Sequence, residues 1–283
     1  MIQKRFFIYL MSVLMLLALV ACSGTATTVE VTSESVSTAV ESSSATAAEV
    51  VAVSEAVATA PASAAEVLAE TNTTPETATV AVADAVAAVA DNSAVAITLS
   101  GDAIAADGAG VTVDGKVATI TAAGTYTISG ALSDGQIVVD TEDEAVMTLV
   151  LNGVDISNST TAPIAILNAE DAVIVLADGT ANNVTDATSY VFPNAEEDEP
   201  NAAIFSNAGL TISGNGSLTV TGNTNDAISS DDTLVIAGGT ITVNAVDDGL
   251  RGKDTLLIQG GTINVAAAGD GLKSDNEDDA TLG

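Results

Sequence analysis

Hydrophobic and polar residues alternate in short runs through the second half of the chain, and glycine, asparagine and aspartate separate the runs. The segments Gly110–Gly115, Thr125–Gly130 and Met147–Gly153 show the period of two that is typical of half-buried β-strands. Runs of this kind begin near Ala94 and continue to the end of the sequence. The pattern predicts an all-β domain over residues 94–283.

A repeat of 22 to 24 residues runs through the last third of the chain. Gly238–Val243 recurs as Gly260–Val265, and Asp248–Leu250 recurs as Asp270–Leu272, both at a shift of 22. Short strands repeated at this period predict the turns of a parallel β-helix, with equivalent residues stacked about 4.8 Å apart.

The repeat also predicts where the core lies. Stacked turns would place four aliphatic residues in one inward ladder: Ile204, Ile228, Leu250 and Leu272. The longer interval from Ile164 to Ile204 fits the same turn with an inserted acidic loop, residues 186–200. Because the sequence stops just as another strand begins, we expect the domain to be truncated at its C-terminus.

The first 22 residues have the pattern of an export signal. Lys4 and Arg5 precede an apolar stretch, which ends in Leu19-Val20-Ala21-Cys22. This ending is similar to a bacterial lipobox, so we expect residues 1–21 to be a signal peptide and Cys22 to be lipidated. The predicted location is the cell surface, with the lipid on Cys22 as the membrane anchor.

Residues 22–93 consist mainly of Ala, Val, Thr, Ser and Glu, without the large apolar side chains that a packed core requires. Such low-complexity sequence cannot offset the entropy of ordering, so we expect a disordered acidic stalk.

Composition removes several classes of function. The chain has 38 acidic and 6 basic residues, which gives a net charge of -32, and this argues against binding to nucleic acid phosphates. The absence of histidine excludes imidazole catalysis and histidine metal ligands. Aromatic residues make up only 2% of the chain, so a row of stacking rings for sugars is not expected.

A column of aspartates is the strongest candidate for a metal site. Asp226, Asp248 and Asp270 share one repeat position, and Asp247 lies beside Asp248. Carboxylates held this close repel one another unless a cation or hydrogen-bond donors stabilise them. An all-oxygen set favours Ca²⁺ as the cofactor. The alternative is that each aspartate caps the backbone of its own turn.

Three of the six basic residues lie beside this column: Arg251, Lys253 and Lys273. Together with calcium they could bind a polysaccharide that carries carboxylates or many hydroxyls. The alternative is charge balance, with Lys253 paired to Asp231 and Asp275 and Arg251 paired to Asp247.

Several segments resemble a known family, the bacterial extracellular carbohydrate-binding β-helix proteins. The segments that are similar are Gly130–Val139, Val150–Val154, Glu199–Ile204, Asp247–Asp254 and Gly269–Ser274. The resemblance implies a right-handed parallel β-helix, bound calcium, a fold shared with pectate-lyase-like polysaccharide lyases, and an acidic (pectin-like) or cellulosic polysaccharide as partner.

Three functions therefore remain open. The first is non-catalytic, calcium-supported binding of polysaccharide. The second is a calcium-dependent polysaccharide lyase, in which Lys253 or Lys273 would remove a proton next to a uronate carboxylate. The third is a purely structural stalk or adhesin in which the aspartates cap turns.

Overall fold

The computed structural model describes residues 93–194, 196–277, 279 and 281–283. The predicted signal peptide, Cys22 and residues 22–92 of the predicted stalk lie outside this part of the chain. The described residues contain strands and no helix, which confirms the all-β class. Accordingly, no helix in this part is long and apolar enough to cross a membrane.

The described residues form twenty strands, which are short except for β7. Their bounds are β1 Val95–Gly101, β2 Ile104–Asp107, β3 Val111–Asp114, β4 Val117–Ile120, β5 Gly124–Leu132, β6 Gln136–Asp140, β7 Met147–Ser157, β8 Ile164–Asn168, β9 Asp171–Leu176, β10 Ala181–Thr185, β11 Ala202–Ser206, β12 Gly209–Gly214, β13 Ser217–Gly222, β14 Asp226–Ser230, β15 Thr233–Ile236, β16 Thr240–Ala245, β17 Leu250–Gly252, β18 Thr255–Ile258, β19 Thr262–Ala267 and β20 Leu272–Lys273.

Most of the strands align in three columns of parallel neighbours, whereas β2 and β3 at the start of the domain pair antiparallel with β1 and β4. The first column contains β4, β6, β8, β11, β14, β17 and β20, the second β9, β12, β15 and β18, and the third β10, β13, β16 and β19. The long strand β7 belongs to two columns, because its first half pairs with β9 and its second half with β10. From β8 onward each turn of the chain takes one strand from each column, so the turns stack on one another.

The predicted aliphatic ladder is confirmed by the strand register. Ile204 lies beside Ile228, Ile228 beside Leu250, and Leu250 beside Leu272. The first three side chains are completely buried, whereas Leu272 on the last strand is 54% exposed. Similar aliphatic stacks face inward from the other two columns, so the core is built almost without aromatic rings.

Glycine forms the corner between the second and third columns. Gly239 and Gly261 have φ values of +91° and +90°, a conformation that other residues rarely adopt. A Cβ atom on Gly261 would lie 2.7 Å from the carbonyl oxygen of Gly239. The repeated Gly-Gly pair in the sequence therefore marks a corner where consecutive turns approach closely.

The predicted insertion occurs between β10 and β11. Asp186, at its start, is buried and accepts hydrogen bonds from the Tyr190 hydroxyl at 2.8 Å and the Asn223 backbone N–H at 2.5 Å. The Val191 backbone N–H donates to the carbonyl of Thr160 at 2.8 Å. These bonds tie the first part of the insertion to neighbouring turns.

Replacing an inward leucine of the second column should destabilise the protein much more than replacing an outward one. Leu234 is completely buried, whereas Leu257 is 39% exposed. Leu234→Ala should lower the free energy of unfolding by about 2–5 kcal/mol because it leaves a cavity between turns. Leu257→Ala should change it by about 0.5 kcal/mol or less. Urea unfolding of both variants measures the difference, and equal losses would contradict the assigned core.

Candidate functional site

The candidate site lies where the chain passes from the third column back to the first. Asp226 is the first residue of β14, Asp247 and Asp248 lie between β16 and β17, and Asp270 lies between β19 and β20. This region is called the aspartate corner below. The strand register places the corner residues of successive turns next to one another, as the repeat predicts.

Two aspartates of the corner, Asp226 and Asp248, accept hydrogen bonds from the backbone of the following turn. Asp226 Oδ1 accepts from the Asp248 N–H at 3.1 Å, and Asp248 Oδ1 accepts from the Asp270 N–H at 2.7 Å. The alternative to calcium predicted that each aspartate would accept from the backbone of its own turn. That prediction was wrong for Asp226 and Asp248, because both accept from the next turn. The bonds satisfy one oxygen of each carboxylate and join three turns.

Three of the four predicted metal ligands form a compact group. Asp226, Asp247 and Asp248 each offer one carboxylate oxygen, and these atoms lie within 4.8 Å of one another. Asp226 and Asp248 are only 3% exposed, whereas Asp247 faces solvent. Asp270 is exposed and is not part of this group, although its backbone N–H contacts Asp248.

The pKa values of the two inner carboxyl groups are shifted in opposite directions. Burial raises the pKa of Asp226 to about 6, and the charges of Asp248 and Asp247 add to the increase. Burial also acts to raise the pKa of Asp248, but hydrogen bonds from Lys273 and the Asp270 N–H outweigh it and lower that pKa. Asp226 is therefore the member of the group that most needs a further positive charge.

Asn201 and Gly269 lie in the turns on either side of these carboxylates. Asn201, which the strand register places in the turn preceding Asp226, has a buried side-chain oxygen with no hydrogen-bond partner in the described part of the chain. A Cβ atom on Gly269 would lie 2.4 Å from Asp247 Oδ1 and 2.6 Å from Asp248 Oδ1. Any side chain at this position would therefore collide with both carboxylates.

These groups fit a hard cation. Every available ligand is an oxygen, as Ca²⁺ and Mg²⁺ prefer, and the sequence contains no histidine. The three carboxylates would supply part of the six to eight oxygens that Ca²⁺ takes. The remaining positions would be open to water or to a ligand.

The basic residues join the aspartate corner through a chain of ion pairs. Lys273 Nζ lies 2.8 Å from Asp248 Oδ2 and 3.4 Å from Asp275 Oδ2. Arg251 Nε lies 2.9 Å from Asp275 Oδ1, and its Nη1 lies 3.4 Å from Asp231 Oδ1. Arg251 and Lys273 are neighbours on the outer side of β17 and β20, as their shared repeat position predicts.

The predicted charge-balance partners were partly wrong. Arg251 takes the acids that were assigned to Lys253, namely Asp231 and Asp275, and it forms no ion pair with Asp247 among the described residues. The guanidinium reaches along the stack to the turns on both sides, and such reach cannot be inferred from column position alone. Lys253 instead lies near Glu199, where its charge acts to lower the pKa of that carboxyl.

Sequence analysis did not identify Glu199 and Asn201 as members of the site. Burial and a hydrogen bond shared with Asp231 raise the pKa of Glu199 to about 7, so these two carboxyl groups form an acidic pair beside Arg251. Asn201 could have been found, because Asn201, Asn225 and Asp247 are spaced by 24 and 22 residues. Glu199 lies in the insertion and has no repeat equivalent.

The geometry combines a candidate cation site with two positively charged side chains on an outer surface. Lys273 lies 2.8 Å from Asp248 Oδ2, so a cation that used this oxygen would compete with the lysine. A carboxylate-bearing ligand that attracts Lys273 would free that oxygen for the cation. The arrangement is therefore suited to bind a cation and an anionic ligand together.

Known proteins support a link to carbohydrate. A sequence profile of the family described as carbohydrate-binding domain-containing protein matches residues 114–283. A curated relative from Acetivibrio thermocellus with the same description is 43% identical over 150 residues, which are 53% of this chain and 52% of that relative. The chain thus spans about half the length of the curated relative it matches.

The fold has a solved counterpart at similar identity. The structure of the polysaccharide lyase-like protein from C. thermocellum, a gadolinium derivative, superimposes with a TM-score of 0.66 at 42% identity. The superposition covers 67% of this chain and 77% of that one. Because the family profile matches more than half of the sequence, this chain belongs to the family of carbohydrate-binding domain-containing proteins.

Proposed function

We propose that this protein is a lipoprotein of the cell surface that binds polysaccharide without cleaving it. In this proposal the stacked turns form a right-handed parallel β-helix, and the aspartate corner binds calcium. Family membership supports a carbohydrate ligand. The observation on which the proposal rests is the group of Asp226, Asp247 and Asp248 next to Arg251 and Lys273.

The calcium site is supported by the cost of leaving the corner without a cation. Asp226 is buried among other carboxylates, and the buried Asn201 oxygen lacks a donor in the described residues. Calcium bound to the group would stabilise the charged form of Asp226.

The ligand that fits this corner best is an acidic, pectin-like polysaccharide. A uronate carboxylate could complete the coordination of calcium and interact with Lys273, whereas neutral sugars offer no such charge. The repeat of the turns, about 4.8 Å, would let successive sugars contact successive turns. A cellulosic ligand remains within the proposal and would depend on hydrogen bonds.

The export part of the proposal is supported by the sequence. Lys4, Arg5, the apolar stretch after them and the motif that ends at Cys22 match a lipoprotein signal. Residues 22–93 would then hold the domain away from the membrane. Lipidation of Cys22 would make the protein membrane-anchored rather than freely secreted.

The lysine geometry favours binding over catalysis. Hydrogen bonding to Asp248 raises the pKa of Lys273, and the nearby charges of Asp248 and Asp275 act in the same direction. A lysine in this state holds its proton and is a poor general base. The lyase alternative, with Lys253 or Lys273 as base, is favoured only by the likeness to the polysaccharide lyase-like structure.

Asp226→Asn should have opposite effects on stability in chelator and in calcium. Because the folded state raises the pKa of Asp226 to about 6, its contribution to stability is greatest at low pH and is lost as the pH rises through 6. Well above pH 6 in EDTA, the variant should therefore melt at a higher temperature than the parent. In excess calcium the parent should melt higher, because the variant has lost a ligand.

Thermal unfolding at several calcium concentrations measures both effects. Asp114→Asn, an exposed aspartate on β3, is the matched control and should respond equally in both conditions. A parent protein whose melting temperature is unaffected by calcium would rule out the calcium site.

Lys273→Met should bind calcium more tightly than the parent. The substitution frees Asp248 Oδ2 and removes a positive charge from the corner. It should weaken the binding of an acidic polysaccharide, because the charge that would attract a sugar carboxylate is lost. Calorimetric titration with calcium and with polygalacturonate tests both directions, and Lys116→Met, paired with the distant Asp102, is the control. Unchanged calcium affinity would show that Lys273 and calcium do not compete.

Polygalacturonate should bind in calcium and be released by EDTA, without formation of unsaturated products. Affinity electrophoresis measures retention, and the ultraviolet absorbance of the polysaccharide measures cleavage. Asp248→Asn should reduce retention at least tenfold. Accumulation of unsaturated product that is lost in Lys253→Met or Lys273→Met would instead establish the lyase alternative.

A further inference from the structure

The outer side of the third column is an uncharged surface rich in hydroxyl and amide groups. It consists of the outward positions of β10, β13, β16 and β19 and is called the hydroxyl–amide face below. None of these four strands contains a charged residue, although the chain has a net charge of -32. The outward positions are instead occupied mainly by threonine and asparagine.

The face is regular because the four strands pair without a register shift. Asn183, Thr219, Thr242 and Asn264 form a central row across the strands. Ser217, Thr240 and Thr262 form a parallel row. Neighbouring strands lie about 4.8 Å apart and alternate positions along a strand about 6.6 Å apart, so the polar groups form a flat grid.

Most of these polar groups are available to a ligand. Asn183, Thr240, Thr262 and Asn264 are exposed, and Thr219 and Thr242 are half-exposed. None of these six side chains makes a hydrogen bond within the described part of the chain, whereas Asn182, on the inner side of β10, makes several.

Strand formation alone does not account for this composition. Threonine is favoured on exposed strand faces, but asparagine is depleted from strands. Three asparagines nevertheless occupy outward positions of this face: Asn183, Asn244 and Asn264. Solubility does not require them either, since the outward positions of the first column include the charged pair Arg251 and Lys273.

We infer that the hydroxyl–amide face binds an uncharged, extended polysaccharide chain that lies along the stack of turns. This inference rests on the proposed carbohydrate-binding function and assigns it a second surface. The strand spacing is close to the length that one pyranose unit adds to an extended chain, so successive sugars would lie over successive turns. Hydroxyl and amide groups both donate and accept, as sugar hydroxyls do.

Charge distinguishes this surface from the aspartate corner. A uronate chain on the hydroxyl–amide face would find no cation there and would be repelled by the surrounding acids, whereas a neutral chain would not. The face also holds no group that could bind calcium through a carboxylate. Binding here should therefore be independent of calcium, in contrast to binding at the corner.

The two surfaces are continuous. The strands β13 and β16 run directly from the hydroxyl–amide face into the segments that contain Asp226 and Asp247. A neutral chain on the face thus passes beside the proposed calcium site. A polysaccharide with both neutral and acidic sugars could contact both surfaces, and the combined affinity would exceed that of either one.

The test uses the soluble neutral β-glucan hydroxyethylcellulose and polygalacturonate, each measured by affinity electrophoresis in calcium and in EDTA. The paired variant Thr219→Val and Thr242→Val removes two adjacent hydroxyls while it keeps side-chain shape and strand preference. The matched control is Thr112→Val with Thr119→Val, which are cross-strand partners on β3 and β4. A second variant, Asn183→Ala with Asn264→Ala, tests the same row without altering the threonines.

We expect the parent to bind the neutral glucan equally in calcium and in EDTA. Both face variants should weaken this binding about tenfold and leave polygalacturonate binding within about twofold, while the control pair should change neither. Far-ultraviolet circular dichroism and thermal unfolding establish that the variants fold.

The failures are distinguishable. Binding of polygalacturonate without any binding of the glucan would overturn this inference and leave the proposed function intact. Glucan binding that is lost in Asp248→Asn and unaffected by the threonine pair would place the glucan at the corner, which also overturns the inference. Failure to bind either polysaccharide would overturn both.

Discussion

The structure depends on the backbone hydrogen bonds between successive turns, which hold equivalent residues about one strand spacing apart. At this spacing a strand residue lies beside the residue at the same repeat position in the neighbouring turns. Aliphatic residues benefit, because Ile204, Ile228 and Leu250 stack in register and are completely buried. This explains how a chain with 2% aromatic residues can form a core.

The same spacing makes a column of like charges destabilising, because the charged groups lie close enough to repel one another. Identical acids in one column repel strongly, and the chain avoids this in different ways at different corners. At the aspartate corner, Asp226 and Asp248 each accept a backbone N–H from the next turn, and Lys273 neutralises Asp248. Asp226 forms no comparable ion pair in the described residues, and burial raises its pKa. A bound cation would supply the positive charge that Asp226 lacks.

The fold could be predicted further from the sequence than the site could. The period of 22 to 24 residues fixed the register, so the ladder from Ile204 to Leu272 and the insertion after Asp186 were predicted correctly. The partners of Arg251 were not, because a long side chain can reach the turn above or below, and the sequence does not specify which. Glu199 was not predicted because it has no equivalent in the repeat. Asn201 was not predicted either, although it shares its repeat position with Asp247.

The hydroxyl–amide face shows a second limit of reading one repeat at a time. Each of its strands has the alternation of an ordinary half-buried strand, and threonine at an outward position attracts no notice. The strand register shows that Thr219, Thr242 and Asn264 are neighbours on one surface. In a stacked fold, a surface suited to a repeating polymer is built from single residues far apart in sequence. Spacing between turns therefore suits both proposed surfaces to the same class of ligand, and charge decides which polysaccharide each one takes.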